Sequence, residues 1–120
     1  MSDRAAFLRS ALRDRLETQP DRLGWLREQL ENYVERWLGF TADPSLSIKG
    51  LLRDDFFIML SVATELYGAE RENIDSRVGD REWRQFVETL RRIEKTKDRS
   101  LAAELLPMFR RYQAVHASGG

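Results

Sequence analysis

The chain has 120 residues, 42% apolar and 33% charged, with 20 basic side chains, 20 acidic ones and no cysteine. That length fits one domain, which buries roughly two-thirds of the surface its unfolded chain exposes, enough for a core without staples. The lack of cysteine removes disulfides, thiolate nucleophiles and sulfur-ligated metals.

Helical periodicity runs along most of the chain. Leu8, Leu12 and Leu16, with Ala5 and Ala11 beside them, predict a first helix over residues 3–17, with Ser2 as its N-cap. Thr18-Gln19-Pro20-Asp21 predicts a sharp break and a new start, Thr18 as cap and Pro20 in the first turn. The second helix, about residues 19–38, carries Leu23, Leu26, Leu30, Tyr33 and Trp37 at the alternating spacing of a helix-packing seam, and Gly39 is expected to stop it. Residues 40–49, with Asp43-Pro44, Ser45 and Ser47, predict the longest loop.

A third helix, about residues 51–67, is apolar on most of its circumference and is expected at the centre of the core, ending at Gly68. The pattern is lost over residues 69–80, which read as a loop or one short helical turn. Asp80 then caps a fourth helix, about residues 81–97, with Trp83, Phe86, Val87, Leu90 and Ile93 facing inward. Ser100 is placed to cap a fifth, with Leu101, Leu105, Phe109 and Tyr112 on one face. Pro107 either kinks that helix or lies in the first turn of a new one. No segment alternates with period two for long enough to make a strand. The expected fold is all-α, a compact bundle of four to five helices forming one domain over residues 1–116, with a disordered tail over residues 117–120.

The longest apolar run, residues 56–62, falls far short of the roughly 18 residues that cross a bilayer. The first 15 residues mix Arg, Asp and Ala with no apolar block, so no targeting segment and a cytoplasmic location are expected. One histidine, His116, and no thiolate make a protein-only zinc site unworkable. Neither a strained Gly-x-Ser-x-Gly turn nor a glycine-rich phosphate loop occurs. Glu28, Glu31 and Glu35 share a face, but Arg27 and Arg36 flank them, as in charge pairing on a wet helix surface. Asp54-Asp55 reads as acids at the positive end of a helix dipole. No metal, cofactor or catalytic residue is therefore expected.

Net charge zero hides a gradient. Residues 43–80 hold four bases against eight acids, whereas residues 81–111 hold nine against five. Of the basic residues 17 are Arg and three Lys, which suits forked binding of phosphate or carboxylate and equally suits an Arg-favouring codon bias. Arg91, Arg92, Lys95 and Lys97 crowd the end of the fourth helix, with Arg99 just beyond. The helix dipole favours such cations, a partner protein could dock on them, and so could nucleic acid. Trp25, off the Leu23–Leu26 seam, and Phe40, beyond Gly39, are the candidate aromatic anchors. The leading expectation is a non-enzymatic assembly subunit or adaptor working through its surface, by self-association or with a protein partner.

Two resemblances supply the alternatives. In size, helix content and Arg-richness the chain looks like the small helical subunits of CRISPR effector complexes, which implies an RNA-contacting role in a ribonucleoprotein. Arg111 and His116, an Arg-x4-His spacing in a small helical chain, resemble the HEPN ribonucleases in those two residues. That likeness implies RNA cleavage by an Arg and a His from each of two subunits. Tyr112, expected to face inward, stands where that family often has a polar residue.

Overall fold

The computed structural model of the chain describes residues 3–72 and 80–119. Its helices are α1 (Asp3–Glu17), α2 (Arg22–Thr41), α3 (Ile48–Arg53), α4 (Asp55–Glu72), α5 (Asp80–Thr96) and α6 (Leu105–Gly119), with a 3₁₀ segment, Arg99–Glu104, before the last. No strand occurs among the described residues, so the all-α bundle expected from the 3.6-residue periodicity is the fold.

Local chemistry accounts for most of the boundaries. Pro20 falls in the break between α1 and α2, as expected, but the cap of α2 is Asp21, whose carboxylate accepts from the Gly24 N–H at 3.0 Å. Thr18 instead closes α1, its hydroxyl donating to the Arg15 carbonyl at 2.8 Å. Gly39 does not stop α2, which continues through Thr41. A glycine exposed on a helix weakens it without ending it, and here the stop comes where Asp43 binds the Ser45 backbone and Pro44 removes a donor. The loop is accordingly shorter than expected, because Ser47 caps α3 by accepting from the Gly50 N–H at 3.0 Å.

The expected single helix over residues 51–67 is two helices. Asp54 is extended (φ −65°, ψ 143°), and its carboxylate accepts from the Phe56 N–H at 2.8 Å. It thus ends α3 and opens α4, a capping role that competes with the helix interior. Nor does Gly68 end α4, which runs on to Glu72, so the loop expected from residue 69 starts later; residues 73–79 lie outside the described residues. The later elements begin close to expectation, with Asp80 the first residue of α5. Lys97 adopts a left-handed conformation (φ 59°), and its N–H reaches the Ile93 carbonyl at 2.9 Å, closing α5. Asp98, rather than Ser100, caps the 3₁₀ segment by accepting from the Ser100 N–H at 3.0 Å. Pro107 is the third residue of α6, where its missing N–H costs nothing, so the helix starts anew there. Helical backbone extends into the segment expected as a tail, as far as Gly119.

In the assembled bundle α4 is central, as its apolar circumference predicted. It packs along α2 on one side and carries α1 on another, while α5 pairs with α6. The core joins Leu12 and Leu16 of α1, Leu30 and Trp37 of α2, Phe57, Leu60 and Tyr67 of α4, Phe86 of α5, and Phe109 and Tyr112 of α6. Its polar atoms are mostly satisfied. The Trp37 Nε1–H donates to the Leu51 carbonyl at 2.8 Å, fastening α3 to α2, and the Tyr67 and Tyr112 hydroxyls hydrogen-bond to each other. Burial pushes the Tyr112 phenol well above the ordinary tyrosine range, and the Tyr67 bond adds to the effect. No helix among the described residues is long and apolar enough to cross a membrane.

Candidate docking groove

Alpha-helices bury stripes, and the apolar stripe of α5 is wider than one neighbour can cover. Phe86, Leu90 and Ile93 are buried, while Trp83 and Val87, displaced round the helix toward α4, are only partly covered. The facing side of α4 carries small or polar residues, Ser61, Thr64, Glu65 and Gly68. A groove of about 380 Å³ lies between the two helices.

The groove has a rigid aromatic wall. The Trp83 ring lies 4.7 Å from that of Tyr67 and 5.4 Å from those of Phe86 and Tyr112, centroid to centroid, so three neighbours fix its orientation. Gly68 faces this wall without a side chain; a Cβ there would stand at ordinary contact distance, 4.0 Å, from Trp83 Nε1. Thr64 turns its hydroxyl back to the Leu60 carbonyl at 2.7 Å. The Ser61 hydroxyl is buried with no hydrogen-bond partner among the described residues, which leaves a polar atom in the lining unused.

Charge is arranged along both banks. On the α4 bank, Glu65 accepts from Arg9 of α1 at 2.6 Å. On the α5 bank Glu94 is partly desolvated, which pushes its carboxyl above the usual range; Lys97 and Arg91 oppose that shift and Glu65 adds to it. Along the α5 rim, Arg84, Glu88, Arg91 and Lys95 fall at spacings of four, three and four on one exposed row, three cations to one acid, and of these Arg91 also lines the groove. Among the described residues no cluster of histidine and carboxylate side chains could hold a metal ion.

The structure distributes the candidate residues unequally. Arg91 lines the groove and Lys95 shares its row, whereas Arg92, one residue on, is turned roughly 100° away. Lys97 is occupied as the C-terminal cap of α5, its ammonium donating to the Glu94 carbonyl at 2.7 Å. Arg99 is half-buried, and its guanidinium donates to the Thr41, Asp43 and Leu46 carbonyls, clamping the α2–α3 loop to the 3₁₀ segment. Trp25 is half-buried against the core, with the Arg15 guanidinium carbon 5.5 Å from its ring centre. Phe40 is 37% exposed and rests against Phe56, 5.9 Å away, far along the chain from the groove residues. Arg111 is exposed and Tyr112 buried beside it; the His116 side chain lies outside the described residues.

Sequence reasoning did not single out Trp83, Val87, Ser61, Gly68 or Arg84 as site residues. Two signals for them were present: a fourth-helix stripe too wide for one partner, and the Ser61–Gly68 interruption in an otherwise apolar helix. No protein-family model, no curated protein and no solved structure matches the chain.

Proposed function

We propose that the chain is a non-enzymatic helical interaction subunit that receives an amphipathic helix of a protein partner in the α4–α5 groove. The partner's apolar residues sit on Trp83 and Val87, and its acidic residues face Arg84, Arg91 and Lys95. The observation that carries this reading is the half-covered, rigidly held Trp83 beside a row of three cations to one acid. Interface energy concentrates in such aromatic anchors, and complementary charge sets the choice of partner. A helix laid in a groove is also a recurrent recognition mode, and the small Gly68 and Ser61 permit close approach of its backbone.

The test is a titration of isotope-labelled protein with two synthetic helical peptides that share their apolar positions. One carries Asp and Glu on its flanks, the other Lys and Arg. The acid-flanked peptide is expected to shift the Trp83 indole, Val87 and Leu90 signals with a Kd on the order of 10 μM. It should bind at least tenfold tighter than its basic counterpart and lose that affinity in Gly68→Leu. Equal binding of both peptides, or of neither, would overturn the proposal. So would an RNA oligonucleotide that shifts the Arg84–Lys95 row instead and is stripped by salt, because phosphate contacts release counterions in that way.

A further inference from the structure

The polar lining of the groove is gathered toward one end. Gly68 of α4 and Trp83 of α5 are neighbours, and Glu65 of α4 acts on Glu94 of α5, so the two helices run antiparallel. Measured from the Trp83 end, Ser61 lies seven residues back from Gly68 along α4, and Glu94 lies seven residues beyond Val87 along α5. Each step is about 10 Å at the helical rise. Glu65 shares the Ser61 face of α4, four residues on. One end of the groove is therefore apolar, and the other holds two carboxylates and a hydroxyl.

All three of these acceptors have unused capacity. The Ser61 hydroxyl is buried with no partner among the described residues, whereas that of Thr64 is spent on the Leu60 carbonyl. Glu65 accepts from Arg9 through Oε2 at 2.6 Å, and its Oε1 takes no hydrogen bond among the described residues. Arg91 and Lys97 attract the Glu94 carboxylate, but neither forms an ion pair with it among the described residues; the Lys97 ammonium donates to the Glu94 backbone carbonyl instead. A helix laid over the groove strips water from these oxygens, and a desolvated carboxylate left without a partner is far costlier than a paired one. An apolar or acidic residue over this end leaves both carboxylates in that state. An ammonium relieves it, because it offers three N–H donors and no acceptor, one donor for each of the three groups.

From this we infer that the partner helix carries one lysine on its groove face, two turns from the apolar residue that meets Trp83 and Val87, and that its ammonium enters among Ser61, Glu65 and Glu94. The inference rests on the docking reading above and adds the partner's inward chemistry. The partner's acids answer the cations of the α5 rim, and its lysine answers the acids of the lining, so the two charges serve different surfaces. Specificity follows from the same arrangement, since a helix with the rim acids but no inward cation leaves buried carboxylates unpaired.

The experiment compares acid-flanked helical peptides titrated into the full chain. One has lysine at the seventh position from its apolar anchor, and its twin has norleucine there, which keeps the aliphatic stem and lacks the ammonium. A second pair carries the residue on the other side of the anchor, so that both directions of docking are covered. In one pair the lysine peptide is expected to bind about tenfold tighter than its twin and to shift the Ser61 and Glu94 amide signals together with the Trp83 indole. Glu94→Gln, with helical circular dichroism unchanged, should cut that preference to about threefold or less. Glu94→Lys should reverse it in favour of a peptide with glutamate at the same position. Norleucine peptides that bind as tightly as the lysine peptides in both pairs, or a preference that ignores both Glu94 variants, would overturn the inference. If those norleucine peptides still shifted the Trp83 indole, only the inward lysine would fall. If no peptide reached the indole, the docking reading would fall with it.

Discussion

Arg99→Met separates a structural clamp from a binding residue. The Arg99 guanidinium reaches three carbonyls, those of Thr41 at the end of α2 and of Asp43 and Leu46 in the following loop, of which that of Asp43 also accepts from the Leu46 N–H at 3.2 Å. A hydrogen bond to a charged donor contributes about 1.5–3 kcal/mol where water is excluded, and less where water can replace it. Arg99 is half-buried and the loop carbonyls are exposed, so the three together contribute about 2 kcal/mol. The cation also lies against the negative end of α2, which adds in the same direction. For a domain of this size that loss lowers Tm by roughly 8 °C. Urea unfolding followed by circular dichroism would read it as a lower midpoint at unchanged slope. Amide exchange should rise selectively over residues 42–47. Arg99→Lys should recover less than half, since one ammonium cannot reproduce a fork spanning separate carbonyls. A midpoint for Arg99→Met within about 0.5 kcal/mol of wild type, the range of ordinary surface changes, would refute the clamp and return Arg99 to the surface residues available for binding.

Two glycines of α2 should respond oppositely to alanine. At Gly39 nothing lies within 4 Å of the added Cβ, so Gly39→Ala should stabilise by about 0.5–1 kcal/mol in thermal unfolding. At Gly24 the same Cβ would fall 2.2 Å from Asp21 Oδ2, so Gly24→Ala should break the cap and cost about 1 kcal/mol despite alanine's better propensity. Glu94, raised chiefly by burial, favours its protonated form in the folded state. Its contribution to stability is therefore fully present below the unfolded value of about 4.3 and lost as pH rises through the higher folded value. Glu94→Gln should accordingly raise the urea midpoint at pH 7 and make little difference at pH 4; a lower midpoint at pH 7 would mean that attraction to Lys97 and Arg91 outweighs desolvation.

What the sequence determined by itself was the local order. The i, i+4 spacing of Leu8, Leu12 and Leu16, Pro20 between two periodic segments, and Phe86, Leu90 and Ile93 on one face of α5 needed no distant residue to be read. Helix hydrogen bonds and stripes are formed by near neighbours, and proline acts on its own turn. Trp83 and Val87 were legible as apolar residues of α5, but not as residues only partly covered. Coverage depends on where α4 lies and on Gly68 and Ser61 facing them across the groove. Asp54 shows the same limit at shorter range: an acid beside a helix start can extend the helix or cap the next one, and the packing of α3 through the Trp37–Leu51 bond accompanies the second outcome. For Arg99 the partners lie up to 58 residues away, so nothing in its neighbourhood distinguishes a clamp from a free cation. Charge and periodicity travel with the chain, whereas the carbonyl or the aromatic face that a side chain meets exists only once the helices have come together.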